Sequence, residues 1–297
     1  MRFSSLRYQT LACALSTIVR ALELPDYIGL KTSLNRSVLE VTLHNPNSPI
    51  NLWNQDTQDG LVDLVGKLQQ DNETKVVIFR SDIPRYFVAH LDLSIPNLAK
   101  FVPSFGNLIY NISALPQVTI GAVEGRARGA GNELLVALDM RFATKNDTLF
   151  GQPEVGSGLF PGGGGSQYLP GLIGRGLAME YILSANDINA TEAERIGWIN
   201  KAFDKTADMD SYIDRLTSRL RLFPQSALSG AKDTINLRSA PTREDILHDT
   251  TTFVRQLADP VVGQISARTQ KLVQNSSAFE VELNLGEIIP LLYDDDA

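Results

Sequence analysis

Short strand-like runs alternate with helical stretches along the first half of this chain, and that alternation constrains its fold more than any other feature. In residues 38–43 apolar and polar side chains alternate as in a strand, whereas Leu61, Leu64 and Leu68 follow at helical spacing. The alternation favours an α/β architecture over a β-sandwich or a helical bundle. The predicted strands cover residues 38–43, 75–80, 118–123, 141–144 and 148–150, and the predicted helices among them cover 56–68, 101–112 and a stretch that includes 133–138.

From about residue 209 onward the pattern is helical almost throughout, and Pro224, Pro241 and Pro260 separate the helices. We therefore expect an α/β core over residues 22–208 and a helical C-terminal domain over residues 209–297. The apolar faces of these helices are broad enough to pack on a partner subunit, and packing on their own core is an equal alternative. The predicted helices cover residues 212–222, 226–237, 243–258 and 261–272.

Residues 1–21 have a separate character. Arg2 and Arg7 precede an apolar run over residues 10–19, and small residues follow it, which is the pattern of a secretory signal peptide. The segment also contains serine and has no acidic residue, so a mitochondrial transit peptide is the alternative. The only cysteine of the chain, Cys13, lies within this segment.

Acceptor sites for N-linked glycans occur more often than composition predicts, and such sites have a use only in the secretory route. They therefore favour a secreted glycoprotein over a mitochondrial protein. The acceptor asparagines are Asn35, Asn72, Asn111, Asn146, Asn189 and Asn275.

Charge and residue usage exclude several classes of function. A formal net charge of −7 and the lack of a lysine and arginine cluster argue against nucleic-acid binding. No stretch of the sequence reaches the ~20 apolar residues of a transmembrane anchor. Because His44, His90 and His248 are scattered and no cysteine follows the leader, we predict no metal site. The G-x-S-x-G elbow of a serine hydrolase is missing from the sequence.

Three segments concentrate the residues that carry chemistry. Residues 87–92 follow a predicted strand, and residues 124–133 follow another strand and open a helix, whose first N–H groups stabilise negative charge. Residues 150–154 precede a glycine-rich run over 160–167 that leads into a further helix. Each segment also has a plain interpretation, because glycines permit close packing and glutamates are common at helix starts and in surface loops.

Together the three segments resemble the enoyl-CoA hydratase/isomerase (crotonase) superfamily over about residues 27–203. The F-x-A-G-x-D loop of that family corresponds to residues 87–92, and its N-G-x-x-x-G-G-G-x-E segment to residues 124–133. The Q-P-E motif is matched letter for letter at residues 152–154, and the I-P-G-x-G-G-T-Q signature falls on residues 160–167. Several collinear motifs at family spacing are much more specific than any one of them.

The resemblance implies a crotonase-like spiral of repeated ββα units with a helical C-terminal domain. It also implies that the Leu91 and Ala130 N–H groups form an oxyanion hole, that Glu133 orients and activates water, and that Glu154 exchanges a proton at the α-carbon. The expected activity is hydration of a short 2-enoyl thioester. Residues expected to contact substrate are Ala89, His90, Asp92, Gly129, Pro161 and Gly162.

Family membership further implies coenzyme A as part of the substrate, no tightly bound cofactor, and a homo-oligomer that is a trimer or hexamer. An isomerase remains open, as do a repurposed enzyme that acts on a carbonyl compound without coenzyme A and a non-catalytic scaffold. The compartment separates these alternatives. A secretory leader favours a substrate without coenzyme A, because acyl-CoA is not expected in the secretory lumen, whereas a transit peptide favours the chemistry of β-oxidation.

The sequence departs from the family pattern at His90, where the family has glycine. A bulky residue there puts coenzyme A binding in question, and the imidazole brings either new acid–base chemistry or a solvent-facing loop side chain. Arg126 and Arg128 flank the second loop, where they pair with an anionic ligand or remain solvated. Alanine in place of glycine at Ala130 keeps the N–H group of the helix start.

Overall fold

The computed structural model describes residues 22–275 and 277–293. The predicted leader over residues 1–21, with Cys13, and the acidic end over residues 294–297 lie outside the described residues. The acceptor site that begins at Asn275 lies partly outside them.

Two sheets and a set of helices around them make up the described part of the chain. The strands are β1 (Leu30–Asn35), β2 (Val38–Leu43), β3 (Val76–Ser81), β4 (Tyr86–Val88), β5 (Val118–Val123), β6 (Arg126–Arg128), β7 (Met140–Thr144), β8 (Leu149–Gly151), β9 (Ile188–Asn189) and β10 (Lys201–Phe203). The helices are α1 (Gln55–Leu68), α2 (Leu98–Ser113), α3 (Ala130–Ala137), α4 (Gly165–Ile173), α5 (Arg175–Ser184), α6 (Ala190–Ile196), α7 (Thr206–Leu220), α8 (Gln225–Ser239), α9 (Arg243–Gln256), α10 (Pro260–Asn275), α11 (Ala278–Leu283) and α12 (Leu285–Ile288).

The larger sheet has six strands in the order β1-β2-β3-β5-β7-β10. Its first two strands form an antiparallel hairpin, and Arg36 at its turn has φ 57°. The remaining neighbours pair in parallel, and β5 is buried along its whole length. Parallel strands carry continuous apolar sequence because helices cover both faces of such a sheet. The predicted α/β class with C-terminal helices is therefore confirmed.

The smaller sheet positions the three chemical segments. Its order is β4-β6-β8-β9, and the first three strands run parallel to one another. Each of these three strands overlaps one of the segments identified in the sequence, and the segment continues beyond the end of the strand. Because parallel strands end at the same edge, the pairing brings residues 89–92, 129–133 and 152–154 together.

Helices of the predicted C-terminal domain pack directly on the α/β core. Met209 and Ile213 of α7 are buried against sheet residues such as Phe142. Helix α9 lies along α2, where the lack of a side chain on Gly106 leaves room for Thr250. The structure thus joins residues 209–293 closely to the residues before them.

Candidate active site

The Leu91 N–H group points away from the strand pairing that holds its neighbours. The Trp53 N–H donates to the His90 carbonyl at 2.9 Å, and the Asp92 N–H donates to the Trp53 carbonyl at 3.0 Å. Leu91 forms a parallel bridge with Trp53, so its own N–H lies on the opposite side of the chain. Among the described residues this N–H has no acceptor.

The second free N–H group belongs to Ala130, the first residue of α3. An N–H in the first helical turn has no partner within the helix, and the structure gives Ala130 none among the residues it describes. Gly129 before it has φ 46°, a conformation that favours glycine, and its own N–H donates to the Gly151 carbonyl. The left-handed turn thus directs the chain from β6 into the helix.

The far end of α3 is fixed by a buried arginine. Arg141 donates to the carbonyls of Leu138 and Trp198 at 2.6 and 2.8 Å, so it binds a carbonyl group that the helix leaves free at its C-terminus. Burial lowers the pKa of Arg141 to about 10. At the near end, Gly131 packs so closely on β4 that a side chain there would collide with the Val88 carbonyl.

Glu133 follows Ala130 by one helical turn, and its side chain is buried. Its Oε1 accepts from the Gly163 N–H at 2.6 Å and from the Gly165 N–H at 3.1 Å. Burial raises the pKa of Glu133 to about 7, although these two N–H groups favour the ionised form. The carboxyl therefore changes protonation state near neutral pH.

Glu154 begins a short 3-10 helix, Glu154–Ser157, directly after the Q-P-E motif. Its Oε2 is shielded from solvent and has no hydrogen-bond partner among the residues that the structure describes. Burial, and then the proximity of Glu133, raise the pKa of Glu154 well above its usual value. A carboxyl whose ionisation is disfavoured by burial and by a neighbouring carboxyl can act as a proton donor.

One cavity of about 530 Å³ connects these groups. Its lining includes six residues identified from the sequence, namely His90, Leu91, Ala130, Glu133, Glu154 and Gly162. Four others identified there, Ala89, Asp92, Gly129 and Pro161, do not line it. The Asp92 carboxylate accepts from Ser94, and the Ala89 N–H donates to the Ile50 carbonyl, so both support the loop around Leu91.

His90 is neither a solvent-facing loop side chain nor a free acid–base group. Its imidazole is 29% exposed, with Nδ1 at 2.8 Å from the Leu91 carbonyl and Nε2 at 3.1 Å from Glu282 Oε1. Burial opposes protonation of the ring, but Glu282 and the Leu91 carbonyl outweigh it and raise the pKa of His90 to about 9. The ring is therefore a cation at neutral pH, and both nitrogens donate.

Both alternatives considered for Arg126 and Arg128 were wrong. The two side chains are buried, which rules out a solvated pair. Arg128 pairs with Asp187 at 2.5 Å and Arg126 with Asp147 at 2.7 Å, so their charges are already balanced within the chain. Neither side chain lines the cavity.

Several residues of the site had no signal in the sequence. Gly163 lines the cavity beside Gly162, and it approaches Glu133 and Phe105 so closely that it leaves no room for a side chain. Phe105 lines the cavity from α2, and Val262 and Ile265 line it from α10. The sequences of α2 and α10 have apolar residues at helical spacing, but this spacing does not indicate which cavity the two helices line.

Within residues 22–275 and 277–293, no cluster of three or more histidine, cysteine, aspartate or glutamate side chains is arranged to hold a metal ion. In the same part of the chain, no helix combines the length and apolar character that a bilayer crossing requires. The chemistry available at the cavity is that of two N–H donors and two carboxyls. Such a set polarises a carbonyl group and moves protons beside it.

Comparison with protein families gives one match over most of the chain. The family model described as enoyl-CoA hydratase/isomerase matches residues 33–259. The matched range contains Leu91, Ala130, Glu133 and Glu154, and it ends before α10.

Individual proteins agree with the family match. A short-chain-enoyl-CoA hydratase from Clostridium acetobutylicum is 35% identical over 191 residues, which cover 60% of this chain and 72% of that protein. Enoyl-CoA hydratase domain-containing protein 2, mitochondrial, from Mus musculus is 30% identical over 235 residues, 77% of each chain. One solved structure is described as that of an enoyl-CoA hydratase from Streptomyces avermitilis. It has a TM-score of 0.83 and 34% sequence identity, and the match covers 90% of this chain and 98% of that chain.

Proposed function

The chain belongs to the enoyl-CoA hydratase/isomerase family, and from that premise we propose that it adds water across the double bond of a 2-enoyl-CoA thioester. One observation carries the proposal. Two N–H groups without acceptors, from Leu91 and Ala130, and the carboxyls of Glu133 and Glu154 line a single cavity. Hydration needs this combination, because charge develops on the thioester oxygen while a proton is added beside it and water is activated.

In the proposed reaction the thioester oxygen accepts from the Leu91 and Ala130 N–H groups. Ionised Glu133 removes a proton from water, and the water oxygen forms a bond to the β-carbon. The electron pair of the double bond moves toward the thioester, and protonated Glu154 donates its proton to the α-carbon. The raised pKa values of both carboxyls support this division, since burial favours the protonated form that a proton donor must have.

An isomerase is the second candidate, and one observation favours it. Glu133 is held by two N–H groups of the glycine run, whereas Glu154 Oε2 has no partner and is free to shuttle a proton alone. Migration of the double bond requires only such a shuttle and the same oxyanion hole.

We also propose the mitochondrion as the compartment, with residues 1–21 as the transit peptide. Relatives from mouse, human and Arabidopsis thaliana are named as mitochondrial proteins. Two of the glycan acceptor side chains have structural partners, because Asn111 accepts from Arg243 and Asn189 accepts from the Glu192 N–H at a helix start. Nothing in the comparisons favours the secretory alternative. Microscopy of the tagged full chain, with glycosidase digestion, distinguishes the two compartments.

A homo-oligomer, trimeric or hexameric, remains part of the proposal. Large apolar side chains are exposed on or just before α8, including Leu222 at 77% and Leu237 at 80%. Such surface favours contact with another subunit. Light scattering coupled to size-exclusion chromatography measures the number of subunits directly.

The activity is tested by incubating the purified protein with a 2-enoyl-CoA and identifying the product by mass spectrometry. We expect a 3-hydroxyacyl-CoA that is heavier by one water molecule. A product of unchanged mass with a shifted double bond would establish the isomerase instead. Absence of turnover on any enoyl-CoA, together with turnover of a carbonyl compound without coenzyme A, would overturn both.

A further inference from the structure

The cavity is closed on one side by residues that the family match does not include. The match ends at residue 259, whereas α10, α11, α12 and the turn that follows contribute much of the lining. On the basis of the proposed function, we infer that residues 260–293 build an acyl compartment, the part of the cavity that holds the apolar chain of the substrate. We infer further that the substrate is a 2-enoyl thioester whose apolar chain is longer than four carbons.

The face that α10 turns toward the cavity has helical spacing. Val262, Ile265, Thr269 and Val273 follow one another at intervals of three or four residues and all line the cavity. Ile265 is 4% exposed, so this face is covered by the core. These side chains therefore form an almost continuous, mostly apolar wall of the cavity that also contains the two carboxyls.

The C-terminal segment packs directly on the turn that carries Glu154. A side chain on Gly156 would collide with Ile289, and one on Gly158 would lie 3.2 Å from Ile265 Cδ1. The Tyr293 hydroxyl donates to the Gly156 carbonyl at 3.1 Å. These glycines place the wall against the reacting groups with no intervening side chain.

A second set of contacts attaches the segment to the oxyanion-hole loop. Glu282 of α11 pairs with His90, and its backbone carbonyl accepts from Arg128. Arg126 donates to the Leu283 carbonyl at 3.3 Å, and Phe279 packs edge-on against Tyr86 at 5.7 Å. The histidine that departs from the family glycine is therefore one of the points where the C-terminal segment is attached.

The charge and polarity of the lining side chains indicate which part of the substrate the cavity binds. No lysine or arginine is among the described residues that line the cavity, and its only basic side chain, His90, is already paired with Glu282. The phosphates of coenzyme A have no cationic partner there, whereas an apolar chain matches Leu159, Val281 and Leu292. Ser266 and Gln270 are exposed lining residues, so the polar part of the wall lies toward solvent.

The size of the cavity leaves room for more than a small acyl group. One carbon of an acyl chain takes up about the space of a water molecule, roughly 30 Å³ in a liquid. A cavity of about 530 Å³ therefore holds the thioester and more than four acyl carbons. Each further methylene that leaves water for this compartment strengthens binding about fourfold.

The experiment measures kcat/KM for a series of 2-enoyl-CoA thioesters from four to twelve carbons. We expect the eight-carbon substrate to exceed the four-carbon substrate by at least tenfold. Equal values, or a preference for four carbons, would overturn the acyl compartment while leaving the hydratase intact. No hydration at any length would instead overturn the proposed function.

Two variants test whether α10 forms the wall. Val262→Trp and Thr269→Trp each fill the compartment, so each should lower the ratio of eight-carbon to four-carbon kcat/KM by at least tenfold. Gln264→Trp places the same ring on the exposed face of α10 and should leave the ratio as in the wild type. The ratio is an internal standard, because loss of folded protein lowers both rates equally. An unchanged ratio in both filling variants would contradict the inference.

Discussion

Residues 33–259 and residues 260–293 line the same cavity but contribute different things to it. The first region supplies two free N–H groups and two carboxyls from the ends of three short parallel strands. The second supplies an apolar wall and polar side chains at its edge. The groups proposed to carry the reaction thus come from residues 33–259, whereas much of the lining around the proposed substrate comes from residues 260–293.

The two regions also differ in how sequence specifies them. A reacting group must lie at a fixed place on a local turn, so its motif is compact and can be located in a sequence. A wall needs only apolar residues at helical spacing, and that pattern is the same for every buried helix. We therefore expect that the proposed chemistry and the chain-length preference can each be changed without the other.

The largest expected effect is in the first region. Glu154→Gln removes the proposed proton donor while it keeps the size of the side chain, and we expect kcat to fall by about 10³-fold or more. The loss should be the same for every acyl-chain length, because the proton is added beside the thioester. Stopped-flow and steady-state assays of the substrate series measure it.

Glu180→Gln is the matched control, since Glu180 is exposed on α5 outside the cavity. It should leave kcat within twofold of the wild type. Retention of more than a tenth of wild-type kcat in Glu154→Gln would remove Glu154 from the mechanism.

The next largest effect is expected when only the Ala130 N–H group is removed from the first region. Proline fits the first position of a helix and has no N–H, so Ala130→Pro removes the donor while α3 keeps its backbone hydrogen bonds. We expect kcat/KM to fall by about 10²–10³-fold with a nearly unchanged melting temperature.

Thr206→Pro makes the same change at the first position of α7, away from the cavity. Lys205 before it is already extended, as a residue before proline prefers. Full activity in this control together with full activity in Ala130→Pro would contradict the oxyanion hole.

A smaller effect concerns stability rather than rate. The folded-state pKa of Glu133 is about 7, raised from 4.5, so its contribution to stability is present below pH 4.5 and is lost as the pH rises through 7. The Gln side chain of Glu133→Gln stays neutral, so the variant should be more stable than the wild type at pH 8. Its free energy of unfolding should be higher by roughly 2–3 kcal/mol. The two proteins should converge near pH 5.

Urea unfolding at both pH values gives these free energies, with Glu180→Gln as the control that shows no pH-dependent difference. Equal stability of Glu133→Gln and the wild type at pH 8 would show that ionisation of the buried carboxyl does not destabilise the folded protein.

The smallest effect is in the second region. Glu282→Gln keeps a hydrogen bond to His90 but loses the charge, and this partly exposed pair contributes about 1 kcal/mol or less. We expect faster amide hydrogen exchange in residues 278–293 at pH 7. The difference should disappear as the pH rises through about 9, because His90, whose pKa is raised, then loses its charge in the folded state.

Glu192→Gln is the control, because it removes the charge from another ion pair, the one between Glu192 and Arg195 on α6. It should leave exchange in residues 278–293 unchanged. Unchanged exchange in Glu282→Gln as well would mean that the ion pair does not attach the second region to the first.

The sequence predicted the longer elements well. Strands over 38–43 and 118–123 have the predicted bounds, because their apolar patterns are long enough to be periodic. Strands β4 and β6 contain three residues each and have no measurable period, so neither was predicted. Their pairing is nevertheless what brings the three chemical segments together.

Parts of the site that depend on distant partners escaped prediction. His90 was recognised as a departure, but its partner Glu282 lies 192 residues further along the chain. Arg128 was assigned to a ligand or to solvent because nothing near it in sequence identifies Asp187, 59 residues away, as its partner. Local motifs located the proposed reacting groups, whereas pairing across the fold required coordinates.

The most direct test of the account is a crystal structure of the protein with a bound 3-hydroxyacyl-CoA of eight carbons. We expect the thioester oxygen within about 2.7–3.1 Å of both the Leu91 and Ala130 nitrogens, with the Glu133 and Glu154 carboxyls beside the reacting carbons. The acyl chain should lie against α10. A thioester oxygen bound away from these two nitrogens would contradict the central claim.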